Sequence, residues 1–315
     1  MSNSNDMPTL SIIVVSYNTR ELLRACLDSV YRETRRTDFE LIVVDNASSD
    51  QSVEMVRREF PKVKVFALQD NVGFARANNE GARAARGEYL LLLNPDTEVL
   101  DDAIDKLVGF ARENPRYGLY GGATRFADGS QNPTSGWNMA TRWSLLSTAI
   151  GLSSLFRGSR LFNSESLASW EWDEPRGVDI VTGCFMLLTR NLWDKLGGFD
   201  EQFRMYAEDA DLCLRAKAEG AKPVLCPDAE IIHHGGASDA VRPDKLTRLL
   251  RAKVQLFRKH WPRADAAYAA LMLKIWALSR GTALSCASAF APQARRGAQA
   301  WAEVWRRRGE WAGAS

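Results

Sequence analysis

The first residue that could do chemistry is Asp96, which follows a run of leucines. Tyr89 and the four leucines from Leu90 to Leu93 predict a short strand buried on both faces, as in the interior of a parallel sheet. Pro95 ends that strand and leaves Asn94 and Asp96 at its carboxyl edge, where open α/β sheets bind ligands. A carboxylate at this edge is suited to a divalent cation. Taken alone, Asn-Pro-Asp is more typical of an ordinary turn.

A second carboxylate, Asp209, lies near the start of a predicted helix. At about 100° per residue it falls in line with Leu212 on the apolar face of that helix. A carboxylate directed into a cleft is a candidate general base. The adjacent acids need no such role, because acidic side chains favour helix N-termini in general and Asp211 can pair outward with Arg215.

Two of the three histidines, His233 and His234, follow one another at the end of a predicted strand, before Gly235 and Gly236. A single histidine is more often structural than a ligand. At the edge of the same cleft as Asp96, His233 would complete a mixed oxygen and nitrogen site for Mn²⁺ or Mg²⁺.

Elements that could position these groups are indicated by alternating apolar runs. Strands predicted at 10–16, 39–44, 63–68 and 89–93 alternate with helices, which predicts a parallel sheet with right-handed crossovers. Neither G-x-G-x-x-G nor a P-loop motif occurs, so dinucleotide and P-loop sites are disfavoured. Polar residues follow each strand on the same predicted edge: Ser16, Tyr17, Asp45, Asn46, Asp70, Asn94 and Asp96. A shared site is modestly favoured over four unrelated turns.

The helix after Gly73 carries an inward-facing amide at Asn78. A buried asparagine needs hydrogen-bond partners. Asn78 either satisfies neighbouring backbone groups or reaches a ligand, and the pattern leaves both interpretations open.

Charge is distributed unevenly along the 315 residues, whose net charge is only +2. From residue 241 onward there are fifteen Lys/Arg against four Asp/Glu, so an acidic body precedes a basic tail. We expect a domain over 1–240, consisting of the parts 10–125 and 126–240, and a helical tail at 241–315. The polar N-terminus and the scattered cysteines predict a cytoplasmic protein with reduced thiols.

The tail suggests contact with an anionic surface. It contains no nucleic-acid motif, so we expect no nucleic acid and slightly favour a membrane over packing on the catalytic domain. In this interpretation Trp301, Trp305 and Trp311 face the lipid, and the arginines face its headgroups.

Taken together in order, these motifs resemble family 2 glycosyltransferases with a GT-A fold, close to bacterial rhamnosyltransferases. The resemblance covers residues 10–238. The matching stretches are 11–18, 43–50, 71–75 with Asn78, 94–96, Gly183, 197–200, 208–212, and His233 with Gly235 and Gly236.

The resemblance implies a catalytic domain over 1–240, with a nucleotide-sugar-binding part at 10–125 and an acceptor part at 126–240, and a role for each matching residue. Donor-binding residues would be Ser16, Tyr17, Asn18, Asp45, Asn46, Gly73, Asn78, Asn94 and Asp96. Asn94 stands where the family's D-x-D motif usually has its first acid. Asp96 and His233 would hold the metal, Asp209 would be the catalytic base, and Gly183, Glu208 and Asp211 would contact the acceptor.

The implied function is inverting transfer of a sugar, with dTDP-rhamnose as the first choice of donor, to a glycan or polyprenyl-linked glycan hydroxyl in cell-surface polysaccharide synthesis. It would take place at the inner face of the plasma membrane. Two alternatives are a sugar-nucleotide nucleotidyltransferase, which should carry a Gly-rich basic loop after the first strand, and a non-catalytic sugar-binding protein, which would not need Asp209.

Overall fold

The computed structural model of the protein describes residues 7–167, 170–235 and 242–313. These residues form two compact units. The first unit contains residues 7–137, 171–204 and 208–235, and the second contains 138–167, 170, 205–207 and 242–313. Gly236, the second glycine of the histidine motif, lies outside the described residues.

The first unit alternates strands and helices, as predicted. Its strands are β1 (Leu10–Ser16), β2 (Phe39–Asp45), β3 (Lys64–Ala67), β4 (Tyr89–Leu93), β5 (Thr97–Val99), β6 (Leu119–Arg125), β7 (Gly136–Trp137), β8 (Arg176–Gly177), β9 (Ile180–Val181), β10 (Phe185–Thr189) and β11 (Val224–His233). The chain's helices up to the histidine strand are α1 (Arg20–Glu33), α2 (Ser52–Glu59), α3 (Phe74–Ala84), α4 (Ala103–Glu113), α5 (Arg142–Ala149), α6 (Leu152–Leu155), α7 (Arg190–Leu196) and α8 (Glu208–Ala218), of which α5 and α6 belong to the second unit.

One mixed sheet organises the first unit. Among the described residues its strand order is β3-β2-β1-β4-β10-β6-β11-β5, and β8 pairs with β11. The pairs β2–β3, β1–β2 and β1–β4 are parallel, whereas β10 runs antiparallel to both β4 and β6. The parallel first half confirms the predicted α/β sheet. Because Ser16 pairs with Asp45 and Val14 pairs with Leu93, the carboxyl ends of β1, β2 and β4 meet at one edge.

The central strands are apolar because they are covered on both faces. Every residue of β1 and of β4 is buried. Leu23 and Leu27 of α1 and Leu107 of α4 belong to the same core as the alternate residues of these strands. Burying such side chains contributes about 1.5–3 kcal/mol each, so this sheet is a rigid base for the loops at its edge.

The second unit is helical. Besides α5 and α6 it contains α9 (Pro243–His260), α10 (Arg263–Ser288), α11 (Ala294–Arg306) and α12 (Arg308–Ala312). Leu145 and Ala149 of α5 share its core with residues of the C-terminal helices, such as Leu250 and Trp301. Residues 138–167 therefore group with the tail, and not with the preceding sheet as the predicted boundary at residue 240 implied.

The predicted lipid-facing orientation of the tail tryptophans is wrong. Trp301 and Trp311 are buried in the helical core, and Trp305 packs against it. The Trp311 indole donates to the carbonyl of Val304 at 3.0 Å. The indoles turn inward because α9, α10 and α11 cover one another, and the sequence of one helix does not reveal such partners. Within the described ranges, no helix combines the length and apolar character needed to cross a bilayer.

Candidate functional site

The carboxyl end of β2 presents a carboxylate with spare hydrogen-bonding capacity. Asp45 is 3% exposed, and its Oδ2 accepts from the amide of Ser48 at 2.9 Å. Its other oxygen, Oδ1, is buried and has no hydrogen-bond partner in the described part of the chain. A buried acceptor left without a donor is costly. Within the described ranges, Asp45 therefore has one unused acceptor at the strand end, where it pairs with Ser16, the residue before the exposed Tyr17.

Ser16, Asn18 and Asn46 shape the surrounding loops. The hydroxyls of Ser16 and Thr19 are 2.9 Å apart, and Asn18 Oδ1 accepts from the amide of Ser49 at 2.8 Å. Asn46 Oδ1 accepts from the amide of Val72 at 2.9 Å, while its Nδ2 donates to the Asn71 side chain. These predicted donor-binding side chains are thus already engaged in holding the loops at 46–49 and 70–73.

Gly73 lies where a side chain would not fit. Its φ is +89°, and a Cβ there would come within 2.6 Å of the carbonyl oxygen of Arg204. That carbonyl accepts from the amide of Phe74 at 3.0 Å, and the Arg204 guanidinium donates to the carbonyl of Asn71. Arg204 therefore fixes the loop that begins α3 at the edge of the sheet.

The two amides on α3 have local and long-range partners. Asn78 is buried, and its side-chain amide donates to the carbonyl of Phe74 at 3.0 Å. Of the two roles left open for Asn78, hydrogen bonding to neighbouring backbone is therefore observed. Asn79, which the sequence analysis missed, makes two bonds of 2.9 Å with the backbone of Phe199. The sequence shows Asn79 beside Asn78 and shows the Gly-Gly-Phe-Asp turn at 197–200, but it does not show that the two are in contact. Only the folded structure reveals that contact.

The Asn94-Pro-Asp96 turn meets the end of β11. Asp96 Oδ1 lies 3.3 Å from His233 Nε2, and Asn94 Nδ2 lies 3.5 Å from the same nitrogen. Burial acts to raise the pKa of Asp96, but the hydrogen bond and charge of His233 outweigh it and hold the pKa below its ordinary value. Asn94 Oδ1 is buried and has no partner among the described residues. The structure thus brings together the residues predicted for the metal.

The donor set fits a divalent cation that receives further ligands from its substrate. A carboxylate oxygen and an imidazole nitrogen suit Mn²⁺, and the orphaned Asn94 oxygen adds a third polar group. Gly235 lies directly beside this carboxylate: a Cβ there would come within 2.4 Å of Asp96 Oδ2. The absence of a side chain at Gly235 therefore leaves space next to Asp96. No group of three or more His, Cys, Asp or Glu side chains surrounds a cation position in the described ranges. His234 pairs with Glu98 at 2.7 Å.

Asp209 is held toward the same edge by backbone donors. Its Oδ2 accepts from the amide of Gly183 at 3.1 Å, and its Oδ1 accepts from the amide of Ala210 at 2.7 Å. Cys184, which follows Gly183 in the chain, accepts a hydrogen bond from the amide of Asn94 at 3.0 Å through its carbonyl oxygen. Two consecutive residues of one turn therefore link Asp209 to the Asn94–Asp96 edge. The Asp209 side chain thus points toward the sheet as predicted, but Glu208 and Asp211, which were expected to face outward, are more buried than Asp209.

The two acids at the start of α8 are both hard to ionise. Burial and the adjacent Asp209 raise the pKa of Glu208 to about 8. Burial also raises the pKa of Asp209, although its backbone hydrogen bonds oppose that effect. Glu208 Oε2 is buried with no hydrogen-bond partner in the part of the chain that the structure describes. A partly exposed carboxyl group with a raised pKa, such as that of Asp209, is suited to proton transfer near neutral pH.

Asp211 is a structural residue, which corrects two expectations. It is fully buried and accepts from Arg215 Nε at 2.7 Å. The same guanidinium donates to the carbonyls of Leu196 and Gly198, each at 2.8 Å. The ion pair faces inward because the turn at 196–200 covers this side of α8, so Asp211 has no surface with which to contact an acceptor.

Sequence comparison shows which known proteins this chain resembles. The sequence profile described as Glycosyl transferase family 2 matches residues 11–192. An O-antigen biosynthesis protein, RfbC from Myxococcus xanthus, is 30% identical over 240 residues, which cover 73% of this chain and only 18% of RfbC. The N-acetylglucosaminyl-diphospho-decaprenol L-rhamnosyltransferase of Mycobacterium tuberculosis (strain H37Rv) is 27% identical over 252 residues, which cover 74% of this chain and 78% of that enzyme.

Solved structures share the fold at low sequence identity. The mannosyltransferase PcManGT from Pyrobaculum calidifontis, in complex with GDP-Man and Mn²⁺, has a TM-score of 0.61 at 19% identity and covers 95% of this chain and 86% of its own. GalNAc-T7 with UDP, GalNAc and Mn²⁺ has a TM-score of 0.62 at 17% identity, covering 87% of this chain and 52% of its own. The profile match spans more than half of the chain, and the chain therefore belongs to glycosyl transferase family 2 and has the GT-A fold.

Proposed function

We propose that the protein transfers a sugar from a nucleotide-sugar donor to a hydroxyl group of a glycan or lipid-linked glycan, with inversion at the anomeric carbon. The observation that carries the proposal is the placement of Asp209. Its carboxylate is oriented by the Gly183 amide, and the same turn binds the strand end that carries Asp96. Family membership supports glycosyl transfer over the two alternative functions.

The donor would lie along the edge formed by β1, β2 and β4. Asp45 Oδ1 is free to accept from the base or the ribose, and the exposed Tyr17 ring can stack on the base. Asp96 and His233 would hold Mn²⁺ or Mg²⁺, whose charge would stabilise the leaving nucleoside diphosphate. The structures of PcManGT with GDP-Man and Mn²⁺ and of GalNAc-T7 with UDP and Mn²⁺ support this use of the fold.

The chemical step needs one proton acceptor. Asp209 takes the proton from the acceptor hydroxyl as that oxygen attacks the anomeric carbon, and the bond to the diphosphate oxygen breaks with its electron pair. Inversion follows from this single displacement. Since burial raises the pKa of Asp209, the rate is expected to fall at acidic pH as this carboxylate becomes protonated.

Donor and acceptor identities rest on the relatives. We propose dTDP-rhamnose as the donor and a polyprenyl-linked glycan as the acceptor, because the mycobacterial relative is named as a rhamnosyltransferase acting on a diphospho-decaprenol. We also propose a cytoplasmic protein with peripheral contact to the inner face of the plasma membrane through residues 241–315. The net positive charge of that segment supports the contact.

The test is product identity combined with one substitution. With dTDP-rhamnose and a short-chain N-acetylglucosaminyl diphosphoryl lipid, the wild-type protein should release nucleoside diphosphate and no pyrophosphate. Asp209→Asn should lower the turnover by about 10²–10⁴-fold while still binding the donor. The exposed Asp28 gives a matched control, since Asp28→Asn should retain full turnover. Pyrophosphate release, or an active Asp209→Asn protein, would refute the proposal.

A further inference from the structure

Exposed apolar side chains concentrate in two segments of the second unit. Nine of the fifteen large hydrophobic residues that are exposed in the described chain lie between 143 and 161 or between 271 and 290. Leu155 is 76% exposed and Leu161 is 62% exposed. Single exposed apolar residues are ordinary, whereas a contiguous group marks an interaction site.

The first segment forms one cluster around Phe162. Trp143 lies 6.1 Å from the Phe162 ring and Phe156 lies 5.1 Å from it, measured between centroids. The Trp143 indole donates to the carbonyl of Leu161 at 2.8 Å. Ile150, seven residues after Trp143 and therefore on the same side of the helix, is exposed at the end of α5. This segment is therefore folded on itself with its apolar side chains still exposed.

The second segment is a stripe along α10. Leu271, Ile275 and Leu278 are exposed at spacings of four and three residues, so they lie on one face of the helix. The opposite face of α10 carries Met272 and Leu273 into the helical core. An amphipathic helix normally presents polar residues outward, whereas this part of α10 is apolar on both its buried and its exposed face.

The two segments adjoin. Ser279 of α10 donates to the carbonyl of Ala149 at 2.7 Å, and Tyr268 donates to the carbonyl of Arg142 at 3.1 Å. The helices α5 and α10 thus lie side by side and run in the same direction. Ile150 and Leu278 are the neighbours of the residues joined by the first bond. We call the exposed side chains of residues 143–161, together with Leu271, Ile275 and Leu278, the apolar face.

Charge around the apolar face is mainly positive, although two acids border it. Asp265 pairs with Arg142, and Glu165 accepts from Ser144 at 2.7 Å. Residues 129–164 contain three arginines and no acidic residue, and residues 266–302 contain one lysine, three arginines and no acidic residue. Arg157 lies within the cluster and Arg280 lies two residues after Leu278. Apolar side chains bordered by an excess of cations suit a bilayer surface, where anionic headgroups lie above a hydrocarbon layer.

We propose that the apolar face docks on an anionic phospholipid bilayer. This inference rests on the proposed function only in its choice of a membrane partner. The contacting surface in this proposal is residues 143–161 and α10, and not the tryptophans of the tail that the sequence suggested. A second copy of the chain is disfavoured as the occupant because two such faces would bring like charges together.

The experiment is co-sedimentation with vesicles of phosphatidylglycerol and phosphatidylcholine, compared with pure phosphatidylcholine. Wild-type protein should bind the anionic vesicles, and bind them less at high salt because the charges are screened. The double variant Leu155→Glu/Phe156→Glu should weaken this binding by at least about tenfold. Leu22→Glu/Phe66→Glu, at exposed apolar positions in the first unit, is the matched control and should bind like wild type.

Three results would overturn the proposal: no binding to anionic vesicles, equal binding by the Leu155→Glu/Phe156→Glu variant, or a wild-type dimer that this variant abolishes in analytical ultracentrifugation. Circular dichroism of each variant checks that it is folded. Donor binding is measured on the same preparations in solution. If the folded wild-type protein bound no nucleotide-sugar donor, the proposed function would be refuted while the vesicle result would stand. The two failures can therefore be told apart.

Discussion

At the scale of single residues, the site depends on two neighbouring carboxyl groups with different partners. Asp209 receives two backbone hydrogen bonds, whereas Glu208 has a buried oxygen without any among the described residues. The amides stabilise a negative charge on Asp209, and the unpartnered Glu208 is favoured as the neutral acid. A single proton shared by the two groups would therefore reside on Glu208 and leave Asp209 ionised, as its proposed role of base requires.

Replacing Glu208 by glutamine should change how stability depends on pH. The folded pKa of Glu208 is about 8 and its ordinary value is 4.5, so between these values the folded state holds more protons than the unfolded state. Unfolding free energy therefore falls as pH rises through this window, by at most about 1.4 kcal/mol per pH unit for one proton. Glu208→Gln should remove that fall.

The measurement is chemical denaturation from pH 5 to pH 9 for both proteins. The expected outcome is a variant that matches wild type near pH 5 and exceeds it increasingly toward pH 9. Glu21→Gln, on the exposed side of α1, controls for the loss of one charge. Parallel curves for wild type and Glu208→Gln would show that Glu208 is ionised throughout, contrary to our interpretation.

At the scale of elements, the loop before α3 depends on backbone contacts that exclude a side chain. Gly73→Ala should destabilise the protein by about 1–3 kcal/mol, because alanine is strained at this φ. The methyl group would also push Arg204 away, so donor affinity should fall. Urea denaturation and a donor titration measure the two effects.

The matched control is Gly109 within α4, where an added Cβ meets nothing within 4 Å. Gly109→Ala should stabilise the protein by about 0.5–1 kcal/mol, because alanine favours helix, and should leave donor binding unchanged. If both variants behaved alike, the close contact between Gly73 and Arg204 would have no role in the site.

What could be predicted from the sequence follows the range of the interactions. Buried apolar runs such as Leu90–Leu93 determine strands locally, so the sheet and the polar edge at Asp45 and Asp96 were predictable. The direction of Asp209 followed from helical periodicity. The burial of Asp211 was not predictable, because it depends on a turn more than ten residues earlier that covers α8.

At the scale of the whole molecule, the chain is divided between a sheet that carries the candidate site and a helical unit with its own core. The sequence predicted helices after residue 242 but not their partners. Apolar residues on α10 were compatible with either a core or a surface, and the tryptophans of α11 and α12 equally so. Only the packing of α5, α9, α10 and α11 against one another determines which face of each helix is buried.

Trp311→Ala tests that packing. Trp311 is fully buried in the core of the second unit, so the substitution should cost about 3–5 kcal/mol of unfolding free energy. Phe290→Ala is the control, since Phe290 is 93% exposed and its loss should change stability by less than about 0.5 kcal/mol. Equal effects in thermal unfolding would mean that Trp311 faces outward after all.

The most direct measurement of the central claim is donor binding with dTDP-rhamnose, UDP-glucose, UDP-galactose, UDP-N-acetylglucosamine and GDP-mannose, each with Mn²⁺, with Mg²⁺ and with EDTA. We predict that one donor, dTDP-rhamnose first, binds only with metal and that Asp96→Ala weakens this binding at least about tenfold. Asp28→Ala should bind that donor like wild type. If no donor bound under any of these conditions, the fold and family would stand, but the proposed transferase site would be contradicted.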